Sequence, residues 1–175
     1  MSWHGSRRTR RHPKRRESAR SGRSSGGPSD ETLCATRASE TPGKTMLLLD
    51  TNVLIRIRQV RLPEDRVVVS ALSYAELCFG IERATDADTR RMRQGDVAQL
   101  RSIFSSAWLP FDTAAAESYA HLAASVVKQR PAHARSTDIM LAGHARALGA
   151  KLLTFNAKDF ELVAEEVEIV TPEWR

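Results

Sequence analysis

The sequence predicts a three-layer α/β fold, with a mostly parallel central sheet and helices on both faces. Three observations predict it. Short apolar runs of buried-strand type recur along the chain: MLLL at 46–49, RVVVS at 66–70 and AKLLTF at 150–155. Helical stretches separate these runs, and strands that alternate with helices build right-handed βαβ units. No such pattern precedes Met46, so the core lies in the 130 residues from 46 to 175, enough for one domain of this class.

Each element has its own signal. TNVLIRIR (51–58) reads as a short helix directly after the first strand. After RVVVS, either Ser70 or Ser73 can cap the helix ALSYAELCFGIERA (71–84), which has little polar face. DADTRRMRQGDVAQLRSIFSSA (86–107) is helical and charged, with Val97, Leu100 and Phe104 on one stripe and Gly95 as a point of division. WLPF (108–111) is a weak strand, confined to an edge by Pro110. DTAAAESYAHLAASVVKQR (112–130) is amphipathic: Tyr119, Leu122, Ala123, Val126 and Val127 share a face, and Pro131 ends it. STDIMLAGHARALG (136–149) is a further helix closed by Gly149. After AKLLTF come a turn and short helix, NAKDFEL (156–162), and a last strand, VEIVTP (167–172).

Charge is divided unevenly. Residues 1–45 hold 11 Lys and Arg against 4 Asp and Glu, whereas residues 46–175 hold 16 against 17. The pI near 9.9 therefore belongs to the N-terminal segment, and a basic folded domain is excluded. That segment, rich in Arg, Ser, Gly and Thr, buries too little apolar surface to offset its ordering entropy and reads as disordered. It is either an arm for nucleic acid or a tail without a selected role, translated from a start codon placed upstream of Met46. Cys34 and Cys78 make neither a metal spacing nor a disulfide framework, and Cys78 reads as a free, buried thiol. No apolar run reaches the roughly 18–20 residues that span a membrane, and no apolar stretch follows the arginines as in a secretory leader. The expected location is the cytoplasm, with no membrane partner.

The chemistry lies in LLLDTNVLI (47–55), where a buried strand runs into a carboxylate. Open α/β sheets gather ligands outside the carboxyl ends of their strands. Asp50 follows the first strand there. Asn156 follows KLLTF, with Asp159 one helical turn on, and Asp138 opens the helix begun by Ser136. Glu76 lies one turn into the helix after the second strand. Structural alternatives exist for each. Asp50 and Asp138 could be helix caps or first-turn acids, Asn156 a turn residue in a left-handed conformation, and Asp159 a cap for the short helix. A lone helical glutamate is ordinarily solvated. Glu76, however, falls between Leu72 and Phe79 on a helix whose other side is apolar, and a carboxylate buried there is costly unless neutralised. Adjacent carboxylates raise one another's pKa unless a cation intervenes. Oxygen ligands without Cys or His suit Mg²⁺ or Mn²⁺ rather than zinc.

Taken together, MLLLDTNVLI, VVVSALSYAELCFGIERA and ARSTDIMLAGHARALGAKLLTFNAKDF resemble the ribonuclease toxins of the VapC type in the PIN-domain family. The resemblance covers residues 46–175 in order and spacing. It implies a PIN fold, a Mg²⁺- or Mn²⁺-dependent endoribonuclease, a cognate VapB-type antitoxin and a homodimer. It places the family's first three acids on Asp50, Glu76 and Asp138. The fourth position, often Asp, is Asn156 here, which leaves less formal charge for the metal, and Asp159 is positioned to compensate. Asn52, Thr154, Thr51 and Thr137 are expected to support these ligands by hydrogen bonds.

The mechanism implied is hydrolysis of an RNA phosphodiester by metal-activated water, giving a 5′-phosphate and a 3′-hydroxyl. His133 and His144 are not needed as bases, and His144 in LAGHARA reads as a packing residue. Arg135, ahead of Asp138, and Arg90, Arg91 and Arg93 are candidates for RNA phosphates, although the latter run could equally be a solvated helix face. Trp108 and Trp174 read as packing residues, with stacking on RNA bases as the alternative use. Two rival functions were weighed. A haloacid-dehalogenase-type phosphohydrolase needs an Asp two residues after the first, where Asn52 stands. A nuclease-inactive PIN-fold binding module would have no use for three intact acids. PGKT (42–45) is not a phosphate-binding P-loop, because Ala38 stands where the leading Gly belongs and no strand precedes it.

Overall fold

The computed structural model describes residues 45–175, so the basic N-terminal segment and Cys34 lie outside the described residues. From Met46 the order is β1 (Met46–Leu49), α1 (Thr51–Ile55), β2 (Val60–Arg61), β3 (Arg66–Ser70), α2 (Ala71–Glu82), α3 (Ala87–Ile103) and β4 (Trp108–Leu109). There follow α4 (Thr113–Val126), α5 (Thr137–Ala147), β5 (Lys151–Leu153), β6 (Ile169–Val170) and β7 (Glu173–Trp174). Short 3₁₀ turns occupy Ile57–Gln59, His133–Arg135 and Ala157–Val163.

Five strands pair in the order β4-β3-β1-β5-β6, all parallel. Strand side chains alternate between faces, and the register sorts them accordingly. Leu48, Val68 and Leu152 align on one face and pack with Leu122, Val126, Ile139 and Phe160 from α4, α5 and the last 3₁₀ turn. Leu49, Val69 and Leu153 align on the other and pack with Val53, Leu54, Leu100 and Phe104 from α1 and α3. The predicted three-layer arrangement is thus what forms. The chain progresses from β1 to β3 on one side and lays β5 on the other, so the sheet order reverses at β1. The crevice at such a reversal is where α/β sheets place their sites.

α4 and α5 cross closely because Gly143 has no side chain. A Cβ there would lie 2.5 Å from the Tyr119 Cα. Gly149, at φ +60°, adopts the left-handed conformation that closes α5, with Ala150 N–H donating to Ala145 O at 2.9 Å. Ser70, not Ser73, caps α2, its Oγ accepting from Leu72 N–H at 3.0 Å.

Three expectations require correction. Gly95 does not divide α3, since its helical hydrogen bonds need no side chain and it costs only helix propensity. α4 stops at Val126, before Pro131, and Val127 turns outward at 45 % exposure instead of joining the apolar face. α2 is less buried than its composition suggests, with Phe79 61 % exposed and Cys78 free but only half-buried. A second, antiparallel sheet of β2 and β7 was not read at all, because two-residue strands carry no periodicity.

Candidate active site

Asp50 occupies the N-cap position of α1 with extended backbone (φ −71°, ψ 153°), yet its carboxylate caps nothing. Ordinary caps in the same chain behave differently. Asp86 accepts from Thr89 N–H at 2.7 Å, and Asp112 accepts from Ala115 N–H at 2.9 Å. Asp50 Oδ2 instead accepts from Asn52 Nδ2 at 2.5 Å and from Thr154 Oγ1 at 2.7 Å. The strand therefore ends on a carboxylate that makes no regular cap hydrogen bond and is held by two neutral side-chain donors, while the Thr51 and Asn52 backbone N–H groups also pull its pKa down against burial.

Those donors tie the loop after β1 to the loop after β5. Asn52 Nδ2 also reaches Thr154 Oγ1 at 3.0 Å, and its Oδ1 accepts from Phe155 N–H at 3.1 Å. Thr154 is fully buried and accepts in turn from Asn156 N–H at 3.0 Å. Asn52 thus spends its amide on positioning, which is incompatible with the acid a haloacid-dehalogenase-type site requires there.

Glu76 is half-buried rather than buried, and its Oε2 accepts from Thr51 Oγ1 at 2.5 Å. Asp138 sits half-buried in the first turn of α5, where Ser136 caps the helix. Asn156 is exposed at φ −118°, so it is not in the left-handed region, and its Nδ2 donates to Asp159 Oδ2. Thr137 makes no side-chain hydrogen bond among the described residues.

Electrostatics show which groups face one another. Burial pushes the Asp138 carboxyl above its ordinary 3.8, the charges of Asp159 and Glu76 push it further, and His133 and a Ser136 hydrogen bond oppose them. Burial likewise pushes Asp50 upward against its Thr154 hydrogen bond, and the Asp138 charge adds to the rise. Asp50, Glu76, Asp138 and Asp159 thus form one field of negative charge, and none of them joins an ion pair with Lys or Arg among the described residues. They are not a finished cage: among the described residues no three His, Cys, Asp or Glu side chains converge tightly enough to hold an ion as they stand. An all-oxygen donor set with raised carboxyl pKa values fits a hard divalent cation.

The other expected residues lie as follows. Arg135 is exposed in the 3₁₀ turn leading to Asp138. Arg90 pairs with Glu82 at 3.2 Å and Arg93 donates to Gly80 O, so these two knit α2 to α3, whereas Arg91 pairs with Asp88 at 3.3 Å within α3 itself. His144 is buried against Ser70 Oγ at 3.0 Å and the Phe111 ring, and desolvation holds its pKa below 6.5. Trp108 packs edge-on to Tyr74 and Phe104. Trp174 does not pack inward. It stacks on Phe155 at 4.4 Å and remains 58 % exposed, and the Arg56 guanidinium lies 5.6 Å from the Phe155 centroid. This cluster beside Asn52 and Asn156 was missed. Arg56 and Phe155 meet through Asn52, and Trp174 joins them through the β2–β7 pairing.

Comparison with known proteins agrees with the geometry. The family profile described as "PIN domain" matches residues 47–166. The "Ribonuclease VapC" of Rickettsia bellii is 26 % identical over 131 residues, which cover 71 % of this chain and 95 % of that protein. The "tRNA(fMet)-specific endonuclease VapC" of Shigella flexneri is 29 % identical over 127 residues, covering 66 % of this chain and 90 % of that protein. Among solved structures, VapBC-5 of Mycobacterium tuberculosis, a member of the VapBC family of toxin-antitoxin systems, superposes with a TM-score of 0.57 at 26 % identity. That match covers 73 % of this chain and 97 % of the other. With the match spanning most of the 130-residue unit and its acids gathered at the sheet's switch point, the chain belongs to the PIN-domain family.

Proposed function

We propose that this protein is a VapC-type endoribonuclease, the toxin of a toxin-antitoxin pair, which hydrolyses RNA phosphodiester bonds with Mg²⁺, or alternatively Mn²⁺. The observation that carries the reading is Asp50: buried at a strand end, withdrawn from the cap, and fixed by Asn52 and Thr154 within the field of Asp138. Asp50, Glu76 and Asp138 would hold the ion, with Asn156 or Asp159 as the fourth oxygen donor. When bound, it supplies Lewis-acid activation of water and offsets charge on the phosphodiester. Thr154 and Asn52 orient Asp50, Thr51 orients Glu76, and the sheet end excludes solvent from one side of Asp50. The products are a 5′-phosphate and a 3′-hydroxyl. The ribonuclease names of the relatives support the reaction class.

A VapB-type antitoxin is the expected protein partner, and the VapBC assembly of the structural neighbour supports this. A groove of about 440 Å³ runs beside the acids, lined by Thr51 and Glu76 and by Leu54, Ile55, Leu77 and Met92. Ile55 and Met92 are 68 % and 62 % exposed, so an apolar segment laid there would cover them and lie against the site. A homodimer is the expected assembly of the toxin. Residues 46–175 form the catalytic unit by this reading, and residues 1–45 are dispensable for cleavage.

The deciding experiment is a cleavage assay on total RNA with mapped ends. Asp50→Asn, Glu76→Gln and Asp138→Asn each remove a ligand charge and should each lose cleavage while keeping the parental circular dichroism. EDTA should stop the reaction and excess Mg²⁺ or Mn²⁺ restore it. Undiminished cleavage in chelator, or in two of the three variants, overturns the assignment.

A further inference from the structure

The exposed stack of Trp174 on Phe155 asks for an explanation. Trp174 stacks on the half-buried Phe155 ring and leaves 58 % of its own surface to solvent, so one aromatic face stays open. Its support is rigid. Trp174 pairs with Val60 across the β2–β7 ribbon, and Arg175 Nε donates to Val60 O at 2.9 Å. Phe155 lies between Thr154, which holds Asp50, and Asn156, and its N–H is bonded to Asn52. The platform is therefore fixed to the acid cluster through the same loop.

Charge around the platform is one-sided in what it leaves unpaired. Arg56 and Arg175 are exposed and join no ion pair among the described residues, while Arg61 stands opposite Glu173 across the ribbon, on the face away from the Val60–Trp174 pair. Arg56 is oriented by a bond to Asn52 O at 3.1 Å and by the Phe155 ring. This grouping is local, because residues 46–175 carry one more acid than base. An open aromatic face and free guanidiniums beside a phosphodiester-cutting site are the parts of a single-strand binding platform. The apolar groove along α1, α2 and α3 has no aromatic face and serves a different kind of occupant.

We propose that Trp174, backed by Phe155, stacks a nucleobase of single-stranded RNA next to the scissile bond, with Arg56 meeting an adjacent phosphate. The inference rests on the ribonuclease reading above. Trp174 and Arg56 are positioning residues in it: they set which stretch of RNA is presented to the acids.

The test measures binding separately from cleavage. Fluorescein-labelled single-stranded RNA decamers are titrated in EDTA with the full chain carrying Trp3→Phe and Trp108→Phe, so that Trp174 alone emits. RNA should quench that emission. Trp174→Leu, which keeps an apolar cover on Phe155 but no π-face, should weaken binding about tenfold, whereas Trp174→Phe should retain most of the affinity. Arg56→Ala should flatten the salt dependence by about 0.7 in log–log slope. With metal present, Trp174→Leu should raise the RNA concentration for half-maximal cleavage by more than it lowers the maximal rate. Parental RNA affinity in Trp174→Leu, with the parent still cleaving, overturns the platform and leaves the ribonuclease reading standing. If that variant instead loses affinity only for the antitoxin, the stack belongs to the protein partner and the inference is again overturned. A parent that neither binds nor cleaves RNA removes both. Should Trp174→Leu fail to fold, the quenching of Trp174 and the Arg56→Ala slope still decide.

Discussion

Thr154→Val isolates the support of the first acid. The exchange nearly conserves shape and removes one hydroxyl that serves three groups: it donates to Asp50 Oδ2 and accepts from Asn52 Nδ2 and Asn156 N–H. A hydrogen bond to a charged group contributes about 1.5–3 kcal/mol and a neutral one about 1. Asn156 is exposed and can turn to water, and Asn52 keeps its bond to Asp50, so most of the loss falls on Asp50. The expected destabilisation is about 2–4 kcal/mol, or about 6–12 °C in Tm for a domain of this size. There is a functional counterpart. The Thr154 bond is the largest influence lowering the Asp50 pKa against burial, so its loss moves that pKa further up. Protons then compete better for Asp50 as pH falls, and the metal needed for half-maximal cleavage should rise more steeply between pH 8 and pH 6 than in the parent. Thermal melts in EDTA and metal titrations at several pH values measure the two effects, and Thr154→Ser should restore both. A Thr154→Val protein with parental Tm and parental pH dependence would refute the view that this hydroxyl holds the acid.

Four further outcomes are expected. Asp138→Asn should lose cleavage yet melt higher than the parent in EDTA. The folded state raises this carboxyl pKa above 3.8, so parental stability falls as pH rises from 3.8 through the raised value and stays lower above it, and the amide should abolish that fall in a pH series of melts. Asn156→Asp should lower the metal concentration for half-maximal cleavage and Asn156→Ala raise it; no change in either would make the residue a turn former only. Gly143→Ala should cost about 1–3 kcal/mol by forcing α5 off the Tyr119 backbone, whereas Gly95→Ala, whose Cβ meets nothing within 4 Å, should gain up to about 1 kcal/mol. Met92→Glu should weaken antitoxin binding, read by calorimetry, while leaving cleavage of RNA intact.

The parts of this molecule that were legible are those with a period or a fixed offset. Leu47–Leu49, Val67–Val69 and Leu152–Leu153 read as buried strands because both faces of a covered parallel sheet are apolar. Asp50 and Asn156 follow at once, since each lies just past the end of such a run, whereas Thr154 fell inside the expected strand AKLLTF, which ends earlier, at Leu153. Gly149 was readable as a closing residue because a left-handed terminus asks for glycine. Exposure on α2 was not readable. Its residues are apolar nearly all round, so no stripe separates the buried Ser73 and Ile81 from the exposed Phe79. The Trp174 stack was invisible for another reason: it depends on where the C-terminal segment pairs, and Val60–Arg61 with Glu173–Trp174 is too short to announce itself. The partners of Arg90 and Arg93 were likewise a matter of helix–helix placement, whereas the Arg91 partner, Asp88, is a local i,i+3 neighbour.

The manner in which the acids are held explains how the site can do without a fourth acid at position 156. Every support identified is neutral or nearly so: Asn52 and Thr154 for Asp50, Thr51 for Glu76, and the Asn156 amide for Asp159. Neutral donors fix a carboxylate in place without cancelling its charge. A lysine in any of these positions would have stabilised the empty protein and competed with a cation for the same oxygens. The structure therefore carries a standing repulsion, visible as the upward pull that Asp159 and Glu76 exert on Asp138. Asp159 comes before Glu76 among those charges, and it is Asn156 that holds Asp159. By the proposed reading, the charge expected at position 156 acts from Asp159, three residues further on, to which the Asn156 amide donates. On the same reading, the Asp159 carboxylate is one of the charges the ion would meet. Asp159→Asn should therefore impair metal-dependent cleavage more than Asn156→Ala does, the opposite of the order that a simple carry-over of the family's fourth position would give.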